Sequence, residues 1–168
     1  VGKTTSAVNV AAAVGKLGKK VLLVDMDPQG NATSGVGVSK KNLKGSSKDV
    51  LTDTVAAKDA IIKTNFENLS IIPTNTTLAG AEFDLYDFDE SEYRLKKALA
   101  EVKDEYDYIL IDCPPSLGML TINAFTASDG IIVPMQCEFY ALEGLSQLMI
   151  TISKIKEHYN NSLTVTGI

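Results

Sequence analysis

Two short apolar runs constrain this chain more than any other feature, because each is uninterrupted and each ends in aspartate. Val21-Leu22-Leu23-Val24 leads into Asp25-Met26-Asp27-Pro28-Gln29-Gly30-Asn31, and Tyr108-Ile109-Leu110-Ile111 leads into Asp112-Cys113-Pro114-Pro115-Ser116. A continuous apolar run of this length fits a parallel strand buried on both faces. Further short strands are expected at Leu69-Ser70-Ile71-Ile72, at Ile131-Ile132-Val133-Pro134 and from Leu163 onward. Helical patterns separate them. Ala7, Val10, Ala11, Val14 and Leu17 share one face of a helix that Gly18 should end. Residues 49–63 read as helical with breaks, and residues 77–86 and 91–102 as helices, the second with Leu95, Ala98, Leu99 and Val102 on one side. A helix spans residues 120–127, and Leu142, Leu145, Leu148, Met149, Ile152 and Ile155 stripe a long final helix. Strands alternate with helices, with no repeat and no linker. The pattern predicts a single α/β domain across residues 1–168, with a doubly wound, mostly parallel sheet flanked by helices.

In open sheets of this kind ligands gather at the carboxyl ends of the strands, which is where Asp27 and Asp112 stand. The first five residues, Val1-Gly2-Lys3-Thr4-Thr5, supply a reason for a ligand to be there. They read as the closing half of a phosphate-binding loop, G-x-x-x-x-G-K-[ST], running into a helix. Gly2 lets the backbone approach a phosphate where a side chain would collide. Lys3 supplies a mobile ammonium to the terminal phosphates, and Thr4 can place its hydroxyl on a magnesium ion. The helix that follows turns free N–H groups and its positive dipole end toward the anion. A lone G-K-T is a weak signal, and a lone strand-end aspartate more often caps a helix. Thr4, Asp27 and Asp112 together at one sheet edge read differently. A hydrophobic strand ending in aspartate is the second half of a phosphoryl-transfer site, where it holds magnesium through a water.

Composition narrows the alternatives. No apolar run among the 168 residues approaches the ~20 needed to span a bilayer. The net charge of −5 argues against a protein coated with positive charge for nucleic acid, though not against a local basic patch. Cys113 and Cys137 have no paired spacing, so neither a disulfide framework nor a zinc site is expected, and a reducing compartment is.

Four segments in order resemble one family. V-G-K-T-T, V-L-L-V-D-M-D-P-Q-G-N-A-T, Y-D-Y-I-L-I-D-C-P-P-S-L-G and I-I-V-P-M-Q-C-E-F-Y-A-L-E-G-L resemble the ParA/Soj chromosome- and plasmid-partitioning ATPases. These are P-loop proteins of the deviant Walker A class, alongside MinD and the nitrogenase iron protein. The resemblance implies an ATPase using ATP and Mg2+. It places Lys3 on the β- and γ-phosphates, Thr4 on the metal and Thr5 near the α-phosphate, with Gly2 in the loop. It makes Asp27 the residue that orients the attacking water, and Asp112 the Walker B aspartate. Pro28, Gln29 and Gly30 would belong to one nucleotide-sensing switch, and Pro114, Pro115 and Ser116 to a second. It also implies an ATP-dependent homodimer, nonspecific DNA binding, a ParB-type centromere-binding partner, and a cytoplasmic, nucleoid-associated location. The family's loop begins K-G-G, ahead of Val1. The chain is therefore expected to be a fragment, lacking the first strand, the start of the loop and the C-terminal portion. The rivals are a MinD-like membrane-positioning ATPase and a non-catalytic scaffold of the same fold.

Other features have plain readings beside functional ones. Lys40, Lys41, Lys44 and Lys48 sit in a Gly-, Ser- and Lys-rich stretch over residues 33–48, expected to be a mobile loop: DNA contacts or a solvated surface. The acidic, aromatic stretch over residues 82–92 is a basic-partner site or an exposed amphipathic helix. Both cysteines read as buried small hydrophobes rather than cluster ligands. His158 reads as a helix-end surface residue. Residues 139–144 are an aromatic patch near a dimer face or a simple strand-to-helix turn.

Overall fold

The computed structural model describes residues 2–136 and 139–168, with side chains for all of these except 139–143. Helix α1 (Lys3–Lys16) leads into strand β1 (Val21–Asp25), short helices α2 (Asn31–Gly35), α3 (Ser47–Leu51) and α4 (Ala57–Ala60), and strands β2 (Ile62–Lys63) and β3 (Leu69–Ile72). Helices α5 (Leu78–Asp84) and α6 (Arg94–Ala100) precede β4 (Tyr108–Asp112), and α7 (Met119–Ala127), β5 (Gly130–Ile132), α8 (Phe139–His158) and β6 (Thr164–Gly167) complete the order. The main sheet runs β2-β3-β1-β4, with β1 parallel to both β3 and β4 and only β2 antiparallel. Strands β5 and β6 form a separate parallel pair.

The apolar run over Val21–Val24 is continuous because β1 is central. Its side chains alternate between two cores, and both are sealed from water. Leu22 and Val24 join Ile72 against Leu51, Leu78, Leu85, Leu95, Leu99 and Leu120 on the face covered by α3, α5, α6 and α7. Val21 and Leu23 join Ile71 and Leu69 against Ala11, Ala32 and Val36 on the α1 and α2 face. Burying each large side chain of this kind stabilises the fold by about 1.5–3 kcal/mol, so an unbroken run of them holds β1 at the centre of the sheet. A third cluster (Ala124, Phe125, Ile131, Ile152, Ile155, Leu163) joins α7 and α8 to the β5–β6 pair.

Several expectations shift in detail. Residues 49–63 contain two one-turn helices and then β2, an edge strand of two residues too short to show a period. The helix expected over 91–102 is a 3-10 turn followed by α6. The loop expected from residue 33 begins as α2, whose Ala32 and Thr33 are buried. Helix α1 buries Ala11 and packs Ala7 and Val14, but leaves Val10 44% and Leu17 80% exposed. Val10 faces a groove of about 890 Å3 between the two sheets, lined by Ala7, Ile109, Leu110, Phe125 and Ile131. Cys137 lies outside the described residues, as do the side chains of the aromatic stretch at 139–143. Among the described residues, no helix is long and apolar enough to cross a membrane.

Candidate active site

Parallel pairing brings the two aspartate-bearing strand ends to the same level: Asp25 lies opposite Asp112 in the β1–β4 register. The backbone continues the pairing one residue further, with Met26 N–H donating to Asp112 C=O at 2.9 Å. Asp27 follows at once in a tight turn, 8% exposed. Asp25, Asp27 and Asp112, all buried, thus occupy one corner of the sheet.

The amino end of α1 points into that corner. Gly2 caps the helix in the left-handed region at φ 81°, and a Cβ there would meet nothing within 4 Å. An L-residue would be strained at this φ, and the space above the glycine is open, as close approach by a ligand requires. Among the described residues no side chain caps the first turn, so its N–H groups are left for an anion. Thr4 Oγ1 donates to Asp112 Oδ2 at 2.7 Å, joining the helix start to the strand end across 108 residues. Lys3 is near enough for its charge to act on Asp112. Thr5 is exposed, and its carbonyl accepts from Asn9 Nδ2 at 2.8 Å.

The corner carries more negative charge than it neutralises. Burial pushes the Asp112 carboxyl up to about 6; the Thr4 hydrogen bond and Lys3 oppose this, while Asp25 and Asp27 reinforce it. Burial also raises Asp25, against hydrogen bonds from Thr33 and Asp27. Such a corner suits a hard divalent cation. Thr4 and Asp112 offer adjacent oxygens of the type magnesium takes. Among the described residues no group of three or more His, Cys, Asp or Glu converges to cage a metal alone. A cation here would complete its shell with water and phosphate oxygens, the usual habit of magnesium.

Two loops flank the corner. In the first, Gln29 N–H donates to Asp27 Oδ1 at 2.9 Å and Gly30 N–H to Asp27 C=O at 2.8 Å, leaving Pro28 half-buried and Gln29 exposed. In the second, Pro114 is buried while Pro115 and Ser116 are exposed, and Thr121 Oγ1 donates to Ser116 C=O at 2.6 Å. Glu82 of α5 packs its carboxylate against Gly118 at the end of this loop. Cys113 has its thiol pushed up to about 12 by burial and the Asp112 charge, so it stays protonated and unreactive.

Asp25 has no role among the sequence expectations. Asp25 accepts from Thr33 N–H and Thr33 Oγ1, each at 2.7 Å, and from Asp27 N–H at 3.2 Å. Thr33 Oγ1 in turn accepts from Thr74 N–H at 3.0 Å, tying the ends of β1 and β3 to α2. The signal lies in the D-M-D spacing, since an aspartate can accept from the N–H two residues on, as Asp25 does from Asp27. Lys40, read only as part of a basic stretch, donates from Nζ to Gln29 C=O at 2.9 Å. Lys48 pairs with Asp84 at 2.9 Å, while Lys41 and Lys44 are exposed.

Known proteins are similar to this chain in sequence and fold. A family model described as an AAA domain matches residues 1–165. The chain is 54% identical over 168 residues to the sporulation initiation inhibitor protein Soj of Bacillus subtilis, covering all of this chain and 66% of that protein. It is 47% identical over 168 residues to the chromosome partitioning protein ParA of Myxococcus xanthus, covering all of this chain and 59% of that one. A solved structure of cobyrinic acid a,c-diamide synthase from Mycobacterium smegmatis, with bound ATP analogue and magnesium, matches at a TM-score of 0.93 and 41% identity. That match covers 98% of this chain and 67% of the other. The chain thus spans 66% and 59% of the lengths of the two curated relatives.

Proposed function

This chain belongs to the ParA/Soj family of AAA-domain P-loop ATPases, and from that premise we propose that its protein hydrolyses ATP with Mg2+ at the β1–β4 corner. The observation that carries the reading is the 2.7 Å contact between Thr4 Oγ1 and Asp112 Oδ2, which sets a phosphate-loop hydroxyl against a strand-end carboxylate. The bound nucleotide analogue and magnesium in the M. smegmatis structure support it. Gly2 and the open N–H groups of α1 cradle the phosphates, with Thr5 beside the α-phosphate. Lys3 neutralises charge on the β- and γ-phosphates. Thr4 and Asp112 hold the metal, which when bound supplies charge neutralisation across the phosphate oxygens.

Asp27 orients the attacking water through the carboxylate oxygen that Gln29 N–H does not occupy. The water oxygen bonds to the γ-phosphorus, the β–γ bridging oxygen leaves with ADP, and the water's protons pass to the phosphate products and solvent. The loops at Pro28–Gly30 and Pro114–Ser116 flank the γ-phosphate position and act as its switches. Replacing Lys3 with Ala should abolish nucleotide binding or turnover; normal turnover in that variant would remove the site assignment. Asp27→Ala should retain ATP binding while turnover falls by roughly 10^2-fold or more. A parallel loss of binding would make Asp27 structural instead.

In the cell we assign the protein to partitioning of a chromosome or plasmid, as the names of its relatives indicate. ATP brings two protomers together, the dimer holds DNA without sequence preference in the cytoplasm at the nucleoid, and a ParB-type partner triggers hydrolysis and release. Binding of a random duplex to the intact protein, followed by anisotropy with ATP, ADP and no nucleotide, tests this. Tight, salt-sensitive binding with ATP alone is expected. DNA-independent turnover together with binding to liposomes would favour a membrane-positioning ATPase.

We also place one further parallel strand in the groove between β4 and β5, entering the loop at Gly2. The apolar walls at Val10, Leu110 and Ile131 fit a strand buried on both faces. A protein carrying residues ahead of Val1 should melt well above the 168-residue chain; equal melting would leave the groove to another occupant.

A further inference from the structure

The turn that carries Asp27 is held from outside by a lysine. Gly30 closes the turn in the left-handed region at φ 64°. A Cβ at that position would lie 2.7 Å from Lys40 Cδ and 3.2 Å from Thr74 C=O, so the lysine stem fills the space that the missing side chain leaves. The same side chain then ends on the Gln29 carbonyl at 2.9 Å. Gln29 is also the residue whose N–H engages Asp27 Oδ1. Through the two peptides that flank it, Gln29 thus links a cation 11 residues further along the chain to the carboxylate assigned to the attacking water.

We propose that Lys40 is a positioning residue for hydrolysis, clamping the Asp27–Gly30 turn so that the Asp27 carboxylate keeps one direction. The proposal rests on the hydrolytic role given to Asp27 above. The physical ground is that Gln29 is exposed and α2 begins only at Asn31, so Lys40 is the side chain that pins the Gln29 carbonyl. The Gln29 carbonyl lies in the Gln29–Gly30 peptide, which Gly30 N–H also ties to Asp27 C=O. Without the lysine pin that peptide can tilt and carry with it the adjoining Pro28–Gln29 peptide, whose N–H fixes Asp27 Oδ1. A nucleophile-orienting group that wanders by about an ångström loses much of its effect, because near-attack geometry is what it supplies. Lys40 differs in this from its neighbours: Lys41 and Lys44 stay exposed for solvent or phosphate, whereas Lys40 is half-buried against the turn.

The test is steady-state ATP hydrolysis by the intact protein and its K40M, K40R and K41M variants. Methionine keeps an apolar stem over Gly30 and removes the ammonium. K40M should lower kcat by roughly 10- to 100-fold with KM and ATP affinity unchanged. K40R, which keeps a donor, should retain most of kcat, and K41M should match the parent. Undiminished kcat in K40M overturns the proposal, and so does a loss in which ATP affinity and melting temperature fall together with kcat. Amide hydrogen exchange at Gln29 and Gly30 provides a readout independent of turnover. Exchange there should be faster in K40M and unaltered in K41M; equal exchange in K40M and the parent refutes the clamp. A parent protein that hydrolyses no ATP while the exchange behaves as expected would remove the role of Asp27 and, with it, the positioning role of Lys40.

Discussion

Asp25 and Asp112 end adjacent parallel strands, lie opposite each other in register and are both almost completely buried, yet they are built for different work. Asp25 accepts three hydrogen bonds, two from Thr33 in α2 and one from Asp27 in the turn that follows β1. Among the described residues Asp112 accepts a single side-chain bond, from a hydroxyl that is itself a candidate metal ligand, and its carboxyl sits at about 6. A saturated buried carboxylate organises backbone. An undersupplied one stores electrostatic cost that a cation can relieve. The number of donors, rather than burial or strand position, separates the structural aspartate from the binding one.

The largest effect should come from breaking the saturated side. Asp25→Ala strands the Thr33 and Asp27 donors in a dry corner and should cost about 3–5 kcal/mol, read as a shift in urea midpoint. A cost within experimental error would mean that Asp25 is not the anchor of the turn.

Next is the undersupplied side, where the sign should reverse. The folded Asp112 carboxyl is raised from 3.8 to about 6. Below pH 3.8 both states hold the proton. As pH rises through this window the unfolded chain releases its proton first, so stability falls, reaching a deficit of about 3 kcal/mol once the folded carboxyl has ionised. Without divalent cation, Asp112→Asn should therefore be more stable than the parent near neutral pH by up to about 3 kcal/mol, with the gain vanishing in acid near the unfolded value. The same variant should lose Mg2+-dependent nucleotide binding. A variant that is less stable at every pH would contradict the raised carboxyl. Adding Mg2+ and ATP to the parent should move its pH midpoint downward, because a bound cation favours the carboxylate.

The smallest effect sharpens the contrast from the hydroxyl. Thr4→Val removes the side-chain bond to Asp112, and should cost about 1 kcal/mol at neutral pH while raising the Asp112 midpoint further. Thr33→Val, the matched change at Asp25, should cost more, since Thr33 Oγ1 both donates to Asp25 and accepts from Thr74 N–H. Equal costs, read from paired urea titrations, would erase the distinction.

Much of the fold was legible in advance, for identifiable reasons. Burial on both faces forces an apolar run, so β1 and β3 stood out. Strand β4 carries the same kind of run, yet at the sheet edge its Ile109–Ile111 are only partly buried and Tyr108 is exposed. Parallel pairing brings the strand ends to one edge. Helix α8 carried its stripe at the required period, and Ile152 and Ile155 are buried as that stripe implies. What escaped had no period to show. Strand β2 is two residues long, and α3 and α4 are short helices held by a capping box at Ser46 and Asp49 and by packing of Ala57 and Ala60. Helix α1 shows its apolar face plainly in the sequence, but Val10 on that face looks into the groove rather than into a packed core.

Sequence alone therefore determined the α/β class, the strand ends that carry aspartate, and the glycine, lysine and threonine of the loop, because local chemistry and periodicity encode each of them. Only the tertiary structure decided which aspartate is saturated and which is poised, and that Lys40 belongs to the Asp27 turn rather than to a free basic surface. The donors that settle these distinctions come from residues 8, 11 and 108 positions away along the chain, on Thr33, Lys40 and Thr4. No periodicity reaches across such separations, so folding alone brings each donor to its acceptor.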